Sequence, residues 1–403
     1  MPFIIILTIL FLCFPVLMIP INFLLMNVVQ DKSRFYFLIL FSMGVGMFGI
    51  HFIPDGPYDI VRYIYNLHTL KLINNPFDLF DVSKIKSYGY TIGLDTNVLF
   101  NIYSWIISKM NRTYLFSFIS MTVIYFTYLV PVVSLMRNKI NLGIKLLSTF
   151  LICISLPLVV AISAVRWPIA AGLFVLVQYI YFTKYNNMRM IWILLVPALF
   201  HSSLIILVLP TLMVALLRLQ TIKSILLLFI GIILAFPTVL GISSAIHVPF
   251  FETIVQKFND YSNTSLNHGF WLDNGGAIVT AIGIILLIKI VLSNINIMEK
   301  NDRMYILSGI SSLLIFMGMY LFDPPLTPRF NWIMPVIIIT MIMFVFSKKY
   351  KMKNVILLLI LLIFIIENNW HQFLQGFISQ ALRLQDSGVW TDSFLQSVFN
   401  FGE

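Results

Sequence analysis

The sequence predicts an all-α polytopic membrane protein. Three observations predict it. Hydrophobic residues make up 60% of the 403 residues and charged ones 10%, whereas a soluble domain carries about 25% charged residues. Apolar runs near the ~20 residues that cross a bilayer as a helix recur along the chain. The runs are continuous rather than alternating, which excludes an outer-membrane barrel.

The formal net charge of +10 does not point to nucleic acid. Lys and Arg sit mainly in short loops between apolar runs, where positive-inside retention places them. Cys13 and Cys153 both lie within apolar runs, with no disulfide framework and no zinc-ligand spacing. No DxD, HExxH, phosphate-binding Gly-rich loop or His/Cys cluster occurs, so neither a metal nor a cofactor is expected.

The elements follow in order. A first run at 3–26 has no charged n-region and is expected to stay as a span. Further spans are expected at 35–52, 113–136, 143–161, 163–183, 223–243, 272–292, 304–322, 330–347 and 353–369. The basic run Lys348-Lys349-Tyr350-Lys351-Met352-Lys353 marks the cytoplasmic side. Loops around Lys32/Arg34, Arg137/Lys139/Lys145, Lys184/Arg189 and Lys300/Arg303 should share that side.

Two segments must behave specially for these charges to agree. Residues 95–109 are too short to span and rich in aromatics, so they predict an amphipathic helix on the outer interface. Residues 190–217 contain Pro197, His201 and Pro210 and have basic flanks at both ends. The chain should return there to its starting side, as two short helices meeting near His201-Ser202-Ser203. The count is then about 10–12 transmembrane helices. One membrane domain is expected over 1–369, with outer loops at 53–112, 244–271 and 323–329. An outer tail follows over 370–403, read as interfacial and helical.

Polar residues beside the outer ends of these spans are the candidate site, because a charge in or near hydrocarbon is costly. The motif Asp55-Gly-Pro-Tyr58-Asp59-Ile-Val-Arg62-Tyr63-Ile-Tyr65 predicts a helix running to about residue 73. Asp55 is its N-cap and Pro57 lies in the first turn. Spacings of three and four residues put Asp59 near Arg62 and Tyr63, and Tyr58 near Arg62. One face would offer a carboxylate, a guanidinium and phenol hydroxyls. A capped interfacial helix with a surface ion pair is the plainer alternative.

Arg166 lies in Ala161-Ile-Ser-Ala-Val-Arg166-Trp-Pro, where two spans must turn without a polar loop. Arginine is always charged and matches phosphate with a planar fork. His201 is either a hydrogen-bonded core residue or a hydroxyl contact or proton carrier. Asp323-Pro-Pro-Leu-Thr-Pro-Arg329 is a proline-rich outer break that puts Arg329 at the membrane surface.

With these residues in order, the chain resembles the Wzy/EpsG-like family of polysaccharide repeat-unit polymerases. The resemblance rests on the outer Asp/Tyr motif at 55–63 and on Arg166-Trp-Pro-Ile169-Ala170. Leu199-Phe200-His201-Ser202-Ser203 and the late Arg329 complete it. The first motif departs from the commoner Gly-x-Asp-Tyr form. The resemblance implies a GT-C-like bundle in a bacterial cytoplasmic (inner) membrane, with its active site facing outward. It implies an undecaprenyl-diphosphate-linked oligosaccharide as substrate, membrane lipid around it and a chain-length regulator protein as partner. The reaction would build O-antigen, capsule or exopolysaccharide. Arg62, Arg166, Arg329, Tyr58, Tyr63 and Asp55 would then contact diphosphate or glycan, with Asp59 as base and His201 as second choice. The alternatives are another GT-C-like glycosyltransferase or O-antigen ligase, and a glycolipid transporter or flippase. A transporter should show internal repeats and polar residues reaching both faces; neither is visible in the sequence.

This topology is directly measurable. In a protein lacking Cys13 and Cys153, single cysteines at 62, 166 and 329 should react with an impermeant reagent from outside. A cysteine at 350 should not, and outside labelling there would invert the map.

Overall fold

The computed structural model describes residues 2–29, 32–51, 59–80, 97–110, 112–136, 140–156, 158–227, 231, 285, 298–322, 333–347 and 393–394. Among them all regular structure is helical and no strand occurs. The expected spans at 223–243 and 272–292 lie largely outside the described residues, as do the tail from 370 and the span at 353–369. The outer loop 244–271 and the basic run at 348–353 lie outside them entirely.

Two compact units emerge. The first comprises Met1–Leu176, Leu199–His201 and His371–Glu403; the second comprises Val177–Ala198 and Ser202–Trp370.

The first unit opens with a correction. The run at 3–26 is not one helix but two, α1 (Pro2–Cys13) and α2 (Ile19–Val28), separated by a turn. Pro15 lies in that turn and Pro20 at the start of α2. A proline lacks an N–H and clashes with the preceding turn, so it ends helices or begins them. Apolar length alone hid the break.

Helix α3 (Ser33–Ile50) and helix α6 (Tyr114–Leu135) are each long and apolar enough to cross a bilayer. Between them come α4 (Asp59–Lys71) and α5 (Val98–Ser108). Helices α3 and α6 form the most extensive packed pair of the unit. Lipid tails are as apolar as the side chains, so such helices associate by close packing rather than by a hydrophobic drive. Small residues make that approach. A Cβ built on Gly49 would lie 2.8 Å from the backbone C and O of Ser117, and one on Gly46 2.9 Å from the Phe118 carbonyl oxygen.

At this end of the pair Val16, Met47, Ile50, Leu115 and Phe118 form a buried cluster, and Phe394 from the tail packs against it. Its ring centroid is 5.6 Å from that of Phe11 and 5.8 Å from that of Phe118. Helix α7 (Leu142–Ser155) is N-capped by Asn141, whose side chain accepts from Gly143 N at 2.7 Å. It is tied to α2 by Thr149 Oγ1 donating to Asn27 Oδ1 at 3.0 Å. Helix α8 (Leu158–Ser163) then ends in a turn at 164–165, and α9 (Arg166–Ile180) begins on the residue after it.

In the second unit α9 runs into a π-helical turn, Tyr181–Tyr185, closed by Asn186 with φ 37°. Asparagine tolerates this left-handed position better than other side chains. The segment 190–217 divides as its sequence suggests. Met188–Leu195 and α10 (Val196–Phe200) precede a break at His201, and α11 (Ile205–Leu216) follows. Helix α11 packs back on Met188–Leu195, so the chain reverses direction. Helix α12 (Lys300–Phe322) packs on α11 and on α13 (Ile333–Ser347). Gln178 donates to Ser308 at 3.1 Å, which satisfies a buried amide on an apolar helix.

The α3–α6 contact yields a stability prediction. Gly49→Ala drives a methyl group into backbone, which cannot move aside as a side chain can, and should destabilise by about 1–3 kcal/mol. Gly143→Ala meets only the Asn141 side chain, at 3.2 Å, and should cost far less. Thermal unfolding in detergent compares the two; equal midpoints would remove the close-packing assignment.

Candidate functional site

Helix α4 carries the first candidates. Asp59 is its first helical residue among those described, and a carboxylate there suits the positive end of the helix. Arg62 Nη1 lies 3.8 Å from Asp59 Oδ1, one turn on. Their side chains are 67% and 47% exposed, where exposure means freedom from protein cover. A pair so open contributes little to stability and leaves both charges available.

Tyr63 behaves differently. The single face expected for Asp59, Arg62 and Tyr63 is split, because adjacent residues project about 100° apart on a helix. Arg62 points away from protein, whereas Tyr63 is buried. Its ring is edge-on to Phe100 of α5 at 5.2 Å and lies 6.0 Å from Phe116 of α6. Tyr103, one turn along α5, packs 5.8 Å from Phe116 and 6.2 Å from Phe200. The hydroxyls of Tyr103 and Ser120 share a hydrogen bond of 2.7 Å. Burial pushes the Tyr103 phenol well above its usual range, against a smaller pull from Ser120. It is therefore a neutral hydroxyl at any physiological pH.

Arg166 closes on this cluster. It is the first residue of α9, and its guanidinium carbon lies 5.8 Å from the Phe100 ring centroid. That distance suits a cation–π contact. Its Nε is buried and has no hydrogen-bond partner among the described residues. No carboxylate among them lies within ion-pairing distance of it. An always-charged group beside a helix N-terminus, with one donor unsatisfied, makes an electropositive spot that favours an anion.

One cluster therefore gathers Tyr63 and Arg166, and it includes Phe200, the chain neighbour of the buried His201. Arg62 and Asp59 stand on another face of α4. Asp55, Tyr58 and Arg329 lie outside the described residues. The sequence reading missed Phe100, Tyr103, Phe116 and Ser120. One signal was available: α5 carries Phe100 and Tyr103 at helical spacing, with the polar residues Asn101, Ser104 and Ser108 also buried. An interfacial helix was inferred there, but its inward face was not.

Comparison with known proteins adds one finding. The EpsG family model matches residues 59–379, a stretch holding Asp59, Arg62, Tyr63, Arg166, His201 and Arg329. This is most of the chain, and the chain belongs to the EpsG family. The family and the apolar helices make it a membrane protein of polysaccharide-polymerase type. No curated protein and no solved structure matches it.

The aromatic cluster predicts graded costs. Phe100→Ala removes the ring that Tyr63, Phe116 and Arg166 share and should destabilise by about 3–5 kcal/mol. Tyr103→Phe removes one hydrogen bond and should cost about 0.5–1.5 kcal/mol. Denaturation in detergent separates the two, and equal losses would show that Phe100 does not organise the cluster.

Proposed function

We propose that this EpsG-family protein polymerises polysaccharide by transferring a glycan from an undecaprenyl-diphosphate carrier to a sugar hydroxyl of another lipid-linked repeat unit. The observation that carries the reading is Arg166: charged, half-buried, lacking a carboxylate partner among the described residues, and set on an aromatic cluster. An anionic leaving group and sugar rings are what such a surface suits.

In the reaction the acceptor oxygen attacks the anomeric carbon of the donor glycan. The bond from that carbon to the diphosphate oxygen breaks, and the lipid diphosphate leaves with the electron pair. Charge develops on phosphate oxygens, where fixed guanidinium groups stabilise it. Arg166, Arg62 and Arg329 are assigned that role. The acceptor proton must go to a base. Asp59 is the first choice, because it is an accessible carboxylate on the helix that supplies Tyr63; His201 is the second. Tyr58 and Asp55 are assigned contacts to glycan; Tyr63, expected to share that role, is buried against Phe100 and Phe116 and holds α4 in place instead. Diphosphate is a good leaving group, so no general acid is required. The active site faces outward across the inner membrane, and the product is O-antigen, capsule or exopolysaccharide. A chain-length regulator is the proposed protein partner. A ligase would use the same chemistry on another acceptor; the family match favours the polymerase.

Polymer formation from purified lipid-linked repeat units tests the assignments. Arg166→Ala should abolish long polymer while the protein still inserts, and Arg166→Lys should rescue poorly, because a lysine lacks the fork. Asp59→Asn should slow turnover by about 100-fold or more, the scale of general-base catalysis, with substrate still bound. Full-length polymer from Arg166→Ala would take this residue out of the mechanism. Near-normal turnover from Asp59→Asn would transfer the base role to His201.

A further inference from the structure

A second cationic feature lies at the other end of α4, away from Asp59. A small open cleft is formed where α4, α5 and the start of α6 meet. Its walls carry His68 and Lys71 from α4, Ser108 from α5, and Arg112 and Thr113 from the residues before α6. The buried side chains Leu67 and Ile107 complete the lining. No carboxylate is among the described lining residues.

The charge around the cleft is set by a specific device. The C-terminus of α4 would by itself present carbonyl oxygens and a partial negative charge. Lys109 removes that obstacle. Its Nζ donates to the carbonyl oxygens of Lys71 at 2.7 Å and Ile73 at 2.6 Å. Trp105 Nε1 donates to the same Ile73 oxygen at 2.8 Å. With the helix end neutralised, the Lys71 charge acts without that opposing field. Arg112 is oriented by Nη1 donating to the Tyr114 hydroxyl at 3.0 Å. Ser108 donates its hydroxyl to Trp105 O at 2.7 Å, so Lys71, His68 and Thr113 are the side chains offered to a ligand, with the Arg112 guanidinium beside them.

Depth decides which anion. Arg112 and Thr113 immediately precede Tyr114–Leu135, one of the two helices long enough to cross the bilayer. A group at the mouth of a span lies at the level of lipid headgroups, where phosphates are concentrated. The walls are cationic and the lining includes two aliphatic side chains, which fits a phosphate that carries an acyl or prenyl chain.

We propose that this cleft binds the phosphate of a membrane lipid. Two lipids supply that chemistry: an anionic phospholipid headgroup and the diphosphate of a lipid-linked glycan. The cleft itself stands independently of the polymerase reading, and only the diphosphate source rests on it.

The test uses purified full-length protein in phosphatidylcholine nanodiscs. The probes are headgroup-proximal diazirine derivatives of phosphatidylglycerol, undecaprenyl diphosphate and phosphatidylcholine, and labelled peptides are read by mass spectrometry. Peptides covering 67–72 and 107–113 should be labelled by at least one anionic probe and only weakly by phosphatidylcholine. His68→Gln/Lys71→Gln should reduce that labelling about tenfold, the effect of losing one to two phosphate contacts, and leave labelling around Arg166 unchanged. Labelling by phosphatidylglycerol alone assigns the cleft to phospholipid; labelling by undecaprenyl diphosphate alone assigns it to a lipid-linked glycan. Equal labelling by all three probes, or no loss in the double variant, overturns the proposal. If the double variant fails to fold, Lys71→Gln alone serves. The Lys71 carbonyl, not its side chain, takes the Lys109 bond, so the helix end stays tied.

Discussion

The close approach of α3 and α6 is the constraint on which the first unit depends. Helices in lipid gain little from burying apolar surface against each other, so their association needs backbone proximity and dense contact. Gly46 and Gly49 supply it against Ser117 and Phe118. Fixing α6 in turn fixes what α6 carries. Phe116 and Ser120 hold the inner face of α5 through Phe100 and Tyr103, and α5 holds α4 through Tyr63. The helix bearing the candidate base is thus positioned by two glycines on another helix.

The aromatic cluster does two things at once. It packs α4, α5 and α6 together, and it places the Phe100 ring beside the Arg166 guanidinium. A cation–π contact contributes about 0.5–2 kcal/mol, which is less than burying a guanidinium donor unsatisfied removes. Among the described residues Arg166 Nε has no acceptor, so an anion there would supply a hydrogen bond that none of them makes. This is the physical basis for ranking Arg166 above Arg62, whose charge already has Asp59 beside it and is open to its surroundings.

Breaks in the helices matter as much as the helices. Pro15 and Pro20 divide the first apolar run, and His201 divides the segment that reverses direction. The turn at 164–165 starts α9 on Arg166. In hydrocarbon a non-helical residue must find partners inside the protein. Buried polar side chains such as Gln178 with Ser308, and Thr149 with Asn27, show the same need met along the helices. Of the candidates, Arg166 and His201 stand at such interruptions.

Composition and continuous apolar runs determined the all-α membrane class, because only helices and closed barrels satisfy their backbone groups in lipid and the runs do not alternate as barrel strands do. Local chemistry also determined the hairpin at His201, from prolines inside a run with basic flanks, and the short helix at 98–108, from its length. It marked Asp59, Arg62, Arg166 and His201 as polar residues in costly places. Only the tertiary structure decided which of them share a site. Periodicity tells which residues lie on one face of a helix, but not which face meets a neighbour. Tyr63 and Arg62 are adjacent in sequence, yet the partners on α5 and α6 draw Tyr63 inward and leave Arg62 out. Phe100 and Tyr103 of α5 are far from Arg166 in the chain, and Phe100 meets it only in the packed fold. The cleft at Lys71 and Arg112 likewise appears only where α4, α5 and the start of α6 meet. Contacts between distant segments carry no local signature, so they appear only when the helices are packed.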